Sequence, residues 1–518
     1  MRPFDRLRVV PRTVEGRGAR RGRLLAFVAA CLLVLPVAAR AQATITILHF
    51  NDVYEITPVE AGKAGGLARL ARFRADLKAQ HPELITTLGG DYVSPSALGT
   101  ARVNGERLAG KQMVAVLNIL GLDWATFGNH EFDIPEAALR ARLAESTFRM
   151  VSSNVTDGSG ALFPNTVASA VIPVKTPSGL VRVGLIGLTL DANKQAWVRY
   201  APPVESARAA AAGLKGKCDV IVALTHLALA GDQQVAEQVP EIDLILGGHE
   251  HENWVIERGA HFTPIIKADA NVRTVAIVTI RIQGLPRRSG EAPRLADARS
   301  GQAAKAGARP VVTARLQRID DRMKEGPRTA AEVKKWVDLG YQGFRADGFE
   351  PAHVVATTDV ALDGRESSVR NQPTNLAALI TDAMRHEAGT DTAVFNSGSI
   401  RIDDVLPPGP VTQYDVIRVL PFGGKVVKAT FTGALLTKVL QIGAQNQGTG
   451  GYLQTAGIPA TIDPAGRYTF AISDFLLTGG EANLGFLTRQ NPDISAITDL
   501  RDIRMAVIDE LKKRFPPK

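Results

Sequence analysis

Four apolar runs in the first half of the chain each end in a tight polar turn that presents a potential metal ligand. They are Ile47-Leu48-His49-Phe50-Asn51-Asp52, Leu88-Gly89-Gly90-Asp91, Phe127-Gly128-Asn129-His130 and Leu246-Gly247-Gly248-His249-Glu250-His251. A fifth run, Ala223-Leu224-Thr225-His226, ends in histidine without the glycine. Carboxylate, amide carbonyl and imidazole together suit Zn, Mn, Fe or Co, and the lack of thiolates argues against a structural zinc site. One such turn is unremarkable, but five in series behind apolar runs describe a metal centre. His130, beside Asn129, reads from its type and place as a general acid or base, as one more ligand, or as a hydrogen bonder at a helix start.

Residues so far apart in sequence meet only if the runs are strands whose C-terminal ends open onto one crevice. The expected strands are Thr44 to Phe50, Leu84 to Leu88, Trp124 to Phe127, Arg182 to Leu188, Val220 to Leu224, Ile242 to Leu246 and Val272 to Ile282. Amphipathic helical stretches lie between several of them, at Leu67 to Ala79, Gln112 to Leu120 and Pro135 to Ala144. This alternation is α/β patterning. From Leu285 to Pro310 the chain turns Arg-, Ala- and Gly-rich without a hydrophobic period, and Ala330 to Leu339 reads as a short helix. The stretch 285–350 is therefore expected to be an interdomain linker with a short helix. Beyond it, 351–518 carries a second set of elements, including a helix from Asn375 to His386 with Asn375 as its cap and strands near Ala393 and Val426.

The 518 residues carry a formal charge of +9, but nine basic and two acidic residues precede Gln42, so the remainder is only +2. No nucleic-acid partner follows from that balance. Residues 1–41 read as a signal peptide: basic Arg20-Arg21-Gly22-Arg23, an apolar stretch from Leu24 to Ala39, then Ala39-Arg40-Ala41 as the cleavage site. That apolar stretch is shorter than a bilayer span. The expectation is an exported protein, periplasmic or secreted, with no stable membrane insertion of the mature chain. Cys31 leaves with the leader and Cys218 stands alone before an apolar run, a small core residue rather than part of a disulfide framework.

In these motifs the sequence resembles the calcineurin-like metallophosphoesterases, and specifically the 5'-nucleotidase family that includes bacterial periplasmic UDP-sugar hydrolases and animal ecto-5'-nucleotidase. The resemblance runs from Leu48-His49-Phe50-Asn51-Asp52 to Gly479-Gly480-Glu481 and is most specific at Gly128-Asn129-His130-Glu131-Phe132-Asp133 and Gly247-Gly248-His249-Glu250-His251. It implies a four-layer αββα metallophosphoesterase domain over 42–284, then a second α/β substrate-binding domain over 351–518. It further implies two divalent metal ions, Zn, Mn or Co with iron as a further option. Asp52 and His251 would hold one, Asn129, His226 and His249 the other, and Asp91 would bridge them. A metal-activated water would then be the nucleophile. His130 matches the family's catalytic histidine, and Asp133 is placed to fix its tautomer. One departure stands out. The family's Asp-x-His at the first metal is here Asp52-Val53-Tyr54, and Tyr54 points the same way as Asp52 along an extended segment.

In the second domain, Asn396-Ser397-Gly398-Ser399-Ile400-Arg401 resembles the family's substrate-binding signature, and Arg370 matches an arginine ahead of its helix. Phe422 and Phe475 read as core residues by themselves; their order in the family makes them the two aromatics that sandwich a base. Glu481 stands where the family usually has Asp, and Ala377-Ala378 replaces the usual Gly-Asn. The implied activity is 5'-nucleotidase-type hydrolysis of nucleotide phosphate esters. The alternatives on the same scaffold are a 2',3'-cyclic-nucleotide phosphodiesterase, a UDP-sugar hydrolase or a sulfur-compound hydrolase. The non-enzyme alternative is a nucleotide- or metal-binding protein inactivated at the Tyr54 site. Nothing in the sequence points to a protein partner.

Overall fold

The computed structural model describes residues 42–283 and 309–517. The signal-peptide reading of 1–41, with Cys31, and the part of the expected linker from 285 to 308 lie outside the described residues.

Gln42–Phe50 shows how the first domain is layered. Ala43, Ile45 and Ile47 face one buried cluster and Leu48 and Phe50 another, the two-residue alternation of a strand covered on both sides. It sits in a seven-stranded sheet ordered Thr166–Val167, Arg149–Val151, Trp124–Ala125, Ile85–Leu88, Gln42–Phe50, Thr274–Gln283, Val311–Arg318. A six-stranded sheet runs Ser169–Thr176, Gly179–Thr189, Val220–His226, Leu244–Gly247, Thr263–Lys267, Trp254–Arg258. The inner faces of the two sheets pack on each other through residues such as Ile45, Val183, Val222, Leu246 and Val278. Helices Leu67–Gln80, Lys111–Leu120 and Glu136–Glu145 join the cluster on the outer face of the first sheet. Pro203–Leu214 and Leu229–Gln238 cover the second. The result is the αββα arrangement.

Two elements depart from a linker with a short helix over 285–350. Val311–Arg318 is the edge strand of the first sheet, antiparallel to Thr274–Gln283, with Val312, Ala314 and Leu316 turned to the core. The helix is also longer, Pro327–Ala346, and packs on Leu67–Gln80 and Lys111–Leu120. Gly340 and Gly343 disguise its second half, because glycine in a helix interior costs about 1 kcal/mol against alanine. Both are needed for close approach. A Cβ on Gly340 would lie 2.3 Å from Leu98 Cδ1, and one on Gly343 2.4 Å from the Arg102 carbonyl oxygen.

The second domain is built on a five-stranded sheet ordered Leu453–Ala456, Ala393–Asn396, Arg467–Ser473, Lys425–Thr432, Ile494–Asp502. Helices Asn375–Ala388 and Ile503–Arg514 contribute to the cluster on one side and Gly433–Gln445 to that on the other. Asn375 is not the helix cap: the Thr374 hydroxyl accepts from the Ala377 amide, while the Asn375 side chain donates to the Ala361 carbonyl. The two domains meet through Tyr414, whose ring lies 5.1 Å from that of Tyr341 and whose hydroxyl donates to Glu55. Cys218 is half-buried and donates weakly to the Leu214 carbonyl. Among the described residues no helix is long and apolar enough to cross a membrane.

Candidate metal centre and substrate cleft

The strand ends bring several of the candidate ligands together. Asp52, Asp91 and His251 offer ligand atoms within 4.8 Å of one another. His226 Nε2 lies 3.2 Å from Asp91 Oδ2, and its Nδ1 is tied to the Gly89 carbonyl at 2.7 Å. The His249 ring stacks edge-on to that of His226 with centroids 5.3 Å apart, and its backbone amide donates to Asp52 Oδ2. Four of these residues sit in the left-handed backbone region that side chains disfavour: Asp52 (φ 52°), Asp91 (φ 56°), His249 (φ 91°) and His251 (φ 60°). Strain of this kind gathers where a constellation must be held in place. The turns also leave no room for a side chain, since a Cβ on Gly128 would fall 2.0 Å from Asp91 Oδ1.

The chemistry of this donor set fits a divalent cation. Asp52 and Asp91 are essentially inaccessible, yet among the described residues neither has a Lys or Arg within ion-pair distance. Burying two carboxylates without a cation is costly. Burial alone would raise Asp52, but His226 and His251 hold it at about 2. Asp91 is lowered further, with His226 and then His130 outweighing burial. In return the carboxylates lift His226 to about 9 against its own burial. Two buried atoms in this cluster, Asn129 Oδ1 and His226 Nε2, have no hydrogen-bond partner; the contact of His226 with Asp91 is close but poorly aligned. Buried polar atoms are seldom left unsatisfied without a reason. A cation is the partner both atoms suit.

Tyr54 lies inside this cluster. Its hydroxyl is 2.8 Å from His251 Nε2, 3.1 Å from Asp91 Oδ2 and 3.3 Å from Asp52 Oδ1. Burial first, then Asp91 and Asp52, push its pKa well above the ordinary tyrosine range, so the group is a phenol.

Beside the cluster, His130–Asp133 forms a single 3-10 turn, whose three-residue repeat stacks the two end side chains. His130 Nδ1 meets Asp133 Oδ2 at 2.6 Å. The Asn193 amide donates to Asp133 Oδ1 at 2.8 Å and steadies the pair. The other imidazole nitrogen, Nε2, accepts from Arg401 of the second domain at 2.9 Å. Arg370 pairs with Glu366, on the same side of the cleft.

The remaining substrate candidates gather at one end of the second sheet. Val426 is registered against Ser473, so Phe422 ahead of one strand and Phe475 after the other fall at the same edge. Asn396 ends a strand parallel to Arg467–Ser473 and reaches that edge too. Its amide donates to Glu481 Oε2 at 2.9 Å, and burial raises the Glu481 carboxyl. Phe422 and Phe475 are 47% and 42% exposed, which corrects the core reading of the bare sequence. Phe422 and Asp133 both line a cavity of about 730 Å³ between the domains.

Several supporting residues escaped the sequence reading. Glu131 is buried and accepts from the amides of Gly128, Asp91, Tyr92 and Val93, bracing the Asp91 turn. Burial, then Asp91, raise it to about 7. Lys267 is buried as well, donating to the carbonyls of Leu227 and Gly248, each next to a candidate ligand. Burial would lower its pKa, but Asp232 and Glu250 raise it. Asn193 and Lys267 belong to no motif. Glu131 lies in the Asn129-His130 turn, where its position after the histidine was the available signal.

A layered αββα domain with a carboxylate, amide and imidazole cluster at its strand ends, facing a second α/β domain, defines a two-domain metallophosphoesterase. The calcineurin-like phosphoesterase family model matches residues 45–253, and that of the 5'-nucleotidase C-terminal domain matches 354–481. The chain is 27% identical over 469 residues to the snake venom 5'-nucleotidase of Gloydius brevicauda, covering 83% of this chain and 75% of that protein. It is 25% identical over 456 residues to a 5'-nucleotidase of Vibrio cholerae, covering 81% and 79%. In fold it is similar to the crystal structure of a 5'-nucleotidase precursor from Thermus thermophilus, with a TM-score of 0.68, 23% identity, and 91% and 96% of the two chains covered. The chain belongs to the 5'-nucleotidase family.

Proposed function

We infer that the protein is a phosphoric ester hydrolase that cleaves phosphate esters of nucleotides with two divalent metal ions, Zn, Mn or Co. The observation that carries this reading is the buried carboxylate pair, ion-paired among the described residues only with histidines, with the Asn129 side-chain oxygen buried and unsatisfied, next to a His130 that the second domain's Arg401 reaches. When bound, the ions supply a nucleophile from water at neutral pH and stabilise charge on the phosphate oxygens. Asp52 and His251 are assigned to one, Asn129, His226 and His249 to the other, and Asp91 to both. His130 assists the leaving oxygen, with Asp133 holding its tautomer. Arg370 and Arg401 suit phosphate or ribose oxygens, Asn396 and Glu481 suit ribose hydroxyls, and Phe422 and Phe475 suit the two faces of a base. The leader motif of residues 20–41 supports action outside the cytoplasm.

Substrate chemistry tests the reading directly. Phe422→Ala and Phe475→Ala should each raise KM for a nucleotide by roughly five- to hundredfold, since stacking on a base is worth about 1 to 3 kcal/mol. Turnover of p-nitrophenyl phosphate, which has no base, should change far less. Equal losses on both substrates would mean that the rings hold the domain together instead. The base pocket and the metal ligands lie on different domains, and the family resemblance implies a rotation between them during turnover. Since Pro327–Ala346 packs on the first domain, that rotation falls after Ala346.

Tyr54 is assigned a place beside the first ion and not on it. A phenol ligates well only as phenolate, which calls for a strongly Lewis-acidic metal such as ferric iron. The first site is accordingly the weaker. One ion should leave before the other on dilution, and Tyr54→His should tighten the weaker site in a chelator competition. A visible tyrosinate-to-iron band in the purified protein, lost in Tyr54→Phe, is the result that would reverse this assignment.

A further inference from the structure

The His251 ring is engaged at both nitrogens, by different domains. Nε2 faces the ligand cluster, 2.8 Å from the Tyr54 hydroxyl and 3.4 Å from Asp52 Oδ1. Nδ1 lies 2.7 Å from Asp403 Oδ2, in the second domain, with Glu366 Oε2 at 3.6 Å. Asp403 is itself fixed, because its other oxygen accepts the Glu366 amide at 2.7 Å and its backbone sits in the left-handed region at φ 39°. Among the described residues it has no Lys or Arg within ion-pair distance, and its Oδ2 is left to the His251 ring.

We propose that Asp403 is a positioning residue for His251, so that the first metal and the docking of the second domain stabilise each other. The proposal rests on the assignment of His251 as a ligand. An imidazole that donates its Nδ1 proton to a carboxylate keeps the lone pair on Nε2, aimed at the cluster, and becomes a stronger donor to a metal. Here the carboxylate arrives with the other domain, and any rotation that separates the domains removes it. By linkage, whatever docking adds to metal affinity, metal adds to docking.

The test uses the full mature chain and Mn²⁺ alone, without substrate. Free Mn²⁺ is followed by its paramagnetic resonance signal and domain arrangement by small-angle scattering. Asp403→Asn should weaken the looser Mn²⁺ by about ten- to hundredfold, the usual cost of losing such a partner, and leave the tighter one unchanged. Added Mn²⁺ should draw wild type toward the docked arrangement and the variant less so, a response that loss of the Glu366 contact alone does not produce. Unchanged Mn²⁺ affinity in Asp403→Asn overturns the proposal. So does a wild-type domain arrangement indifferent to Mn²⁺, a measurement that stands even if the variant does not fold. His251→Ala separates the two levels. If it too keeps both ions, the ligand assignment has failed; if it loses one while Asp403→Asn loses none, only the role of Asp403 has.

Discussion

Exhaustive treatment with EDTA should abolish hydrolysis, and Mn, Co or Zn should restore it. Among the described residues no group at the cluster replaces what the ions supply. The side chains at the cluster are two carboxylates held ionised, imidazoles, an amide and a buried phenol, and none is an activated nucleophile toward an uncharged or anionic phosphate ester. With the ions, water becomes a nucleophile near neutral pH. The fold should survive their removal, because the apolar clusters that fill and cover the two sheets extend far beyond the ligand turns they flank. Stability should still fall: a ligand bound only by the native state contributes about 2.7 kcal/mol at a hundred times its Kd. A calorimetric scan should therefore show a cooperative transition at lower temperature in the metal-free protein. Undiminished turnover in protein shown by elemental analysis to be metal-free is the outcome that defeats the mechanism.

Seven strands of the first domain were legible because each leaves a local mark, whereas short or edge strands such as Arg149–Val151, Ser169–Thr176 and Trp254–Arg258 were not expected. Gln42–Phe50 alternates between two cores, and Leu88-Gly89-Gly90-Asp91 breaks an apolar run with glycines that the crowded turn demands. Helix Pro327–Ala346 was half hidden for a related reason, since Gly340 and Gly343 lower local propensity for a packing need that only the folded chain reveals. Val311–Arg318 carried its two-residue period, but beside a long stretch without one. Of the residues that hold the site, Glu131 lay within a motif, but Asp403 and Asn193 left no mark. Asp403 meets His251 across 152 positions and Asn193 meets Asp133 across 60; each is a single polar residue on a loop, where type and spacing say nothing about contact. A supporting shell is a property of the tertiary arrangement, and sequence periodicity reports only on elements.

His130→Ala should lower kcat for a nucleotide by at least about a hundredfold, within the 10² to 10⁴ typical of a positioned acid or base, while both ions stay bound. The two halves of that expectation come from different atoms. Retention of metal follows from the backbone: it is the His130 amide, kept in the alanine variant, that donates to Asp91 Oδ1 at 2.8 Å. Loss of turnover follows from the ring. Asp133 occupies Nδ1, and Asn193 fixes Asp133, so Nε2 is the nitrogen turned to the cleft, the one that takes up a proton and passes it to the leaving oxygen. The only group that meets Nε2 among the described residues is the Arg401 guanidinium, brought by the second domain. A cation and an imidazole sharing one point of the cleft are suited to an anionic ester, whose oxygens take up the arginine while the imidazole serves the leaving oxygen. Asp133→Asn, which keeps the shape but not the charge, should fall between wild type and His130→Ala. Should His130→Ala release an ion yet keep the turnover of whatever remains loaded, then His130 is a ligand and the acid must be sought elsewhere in the cleft.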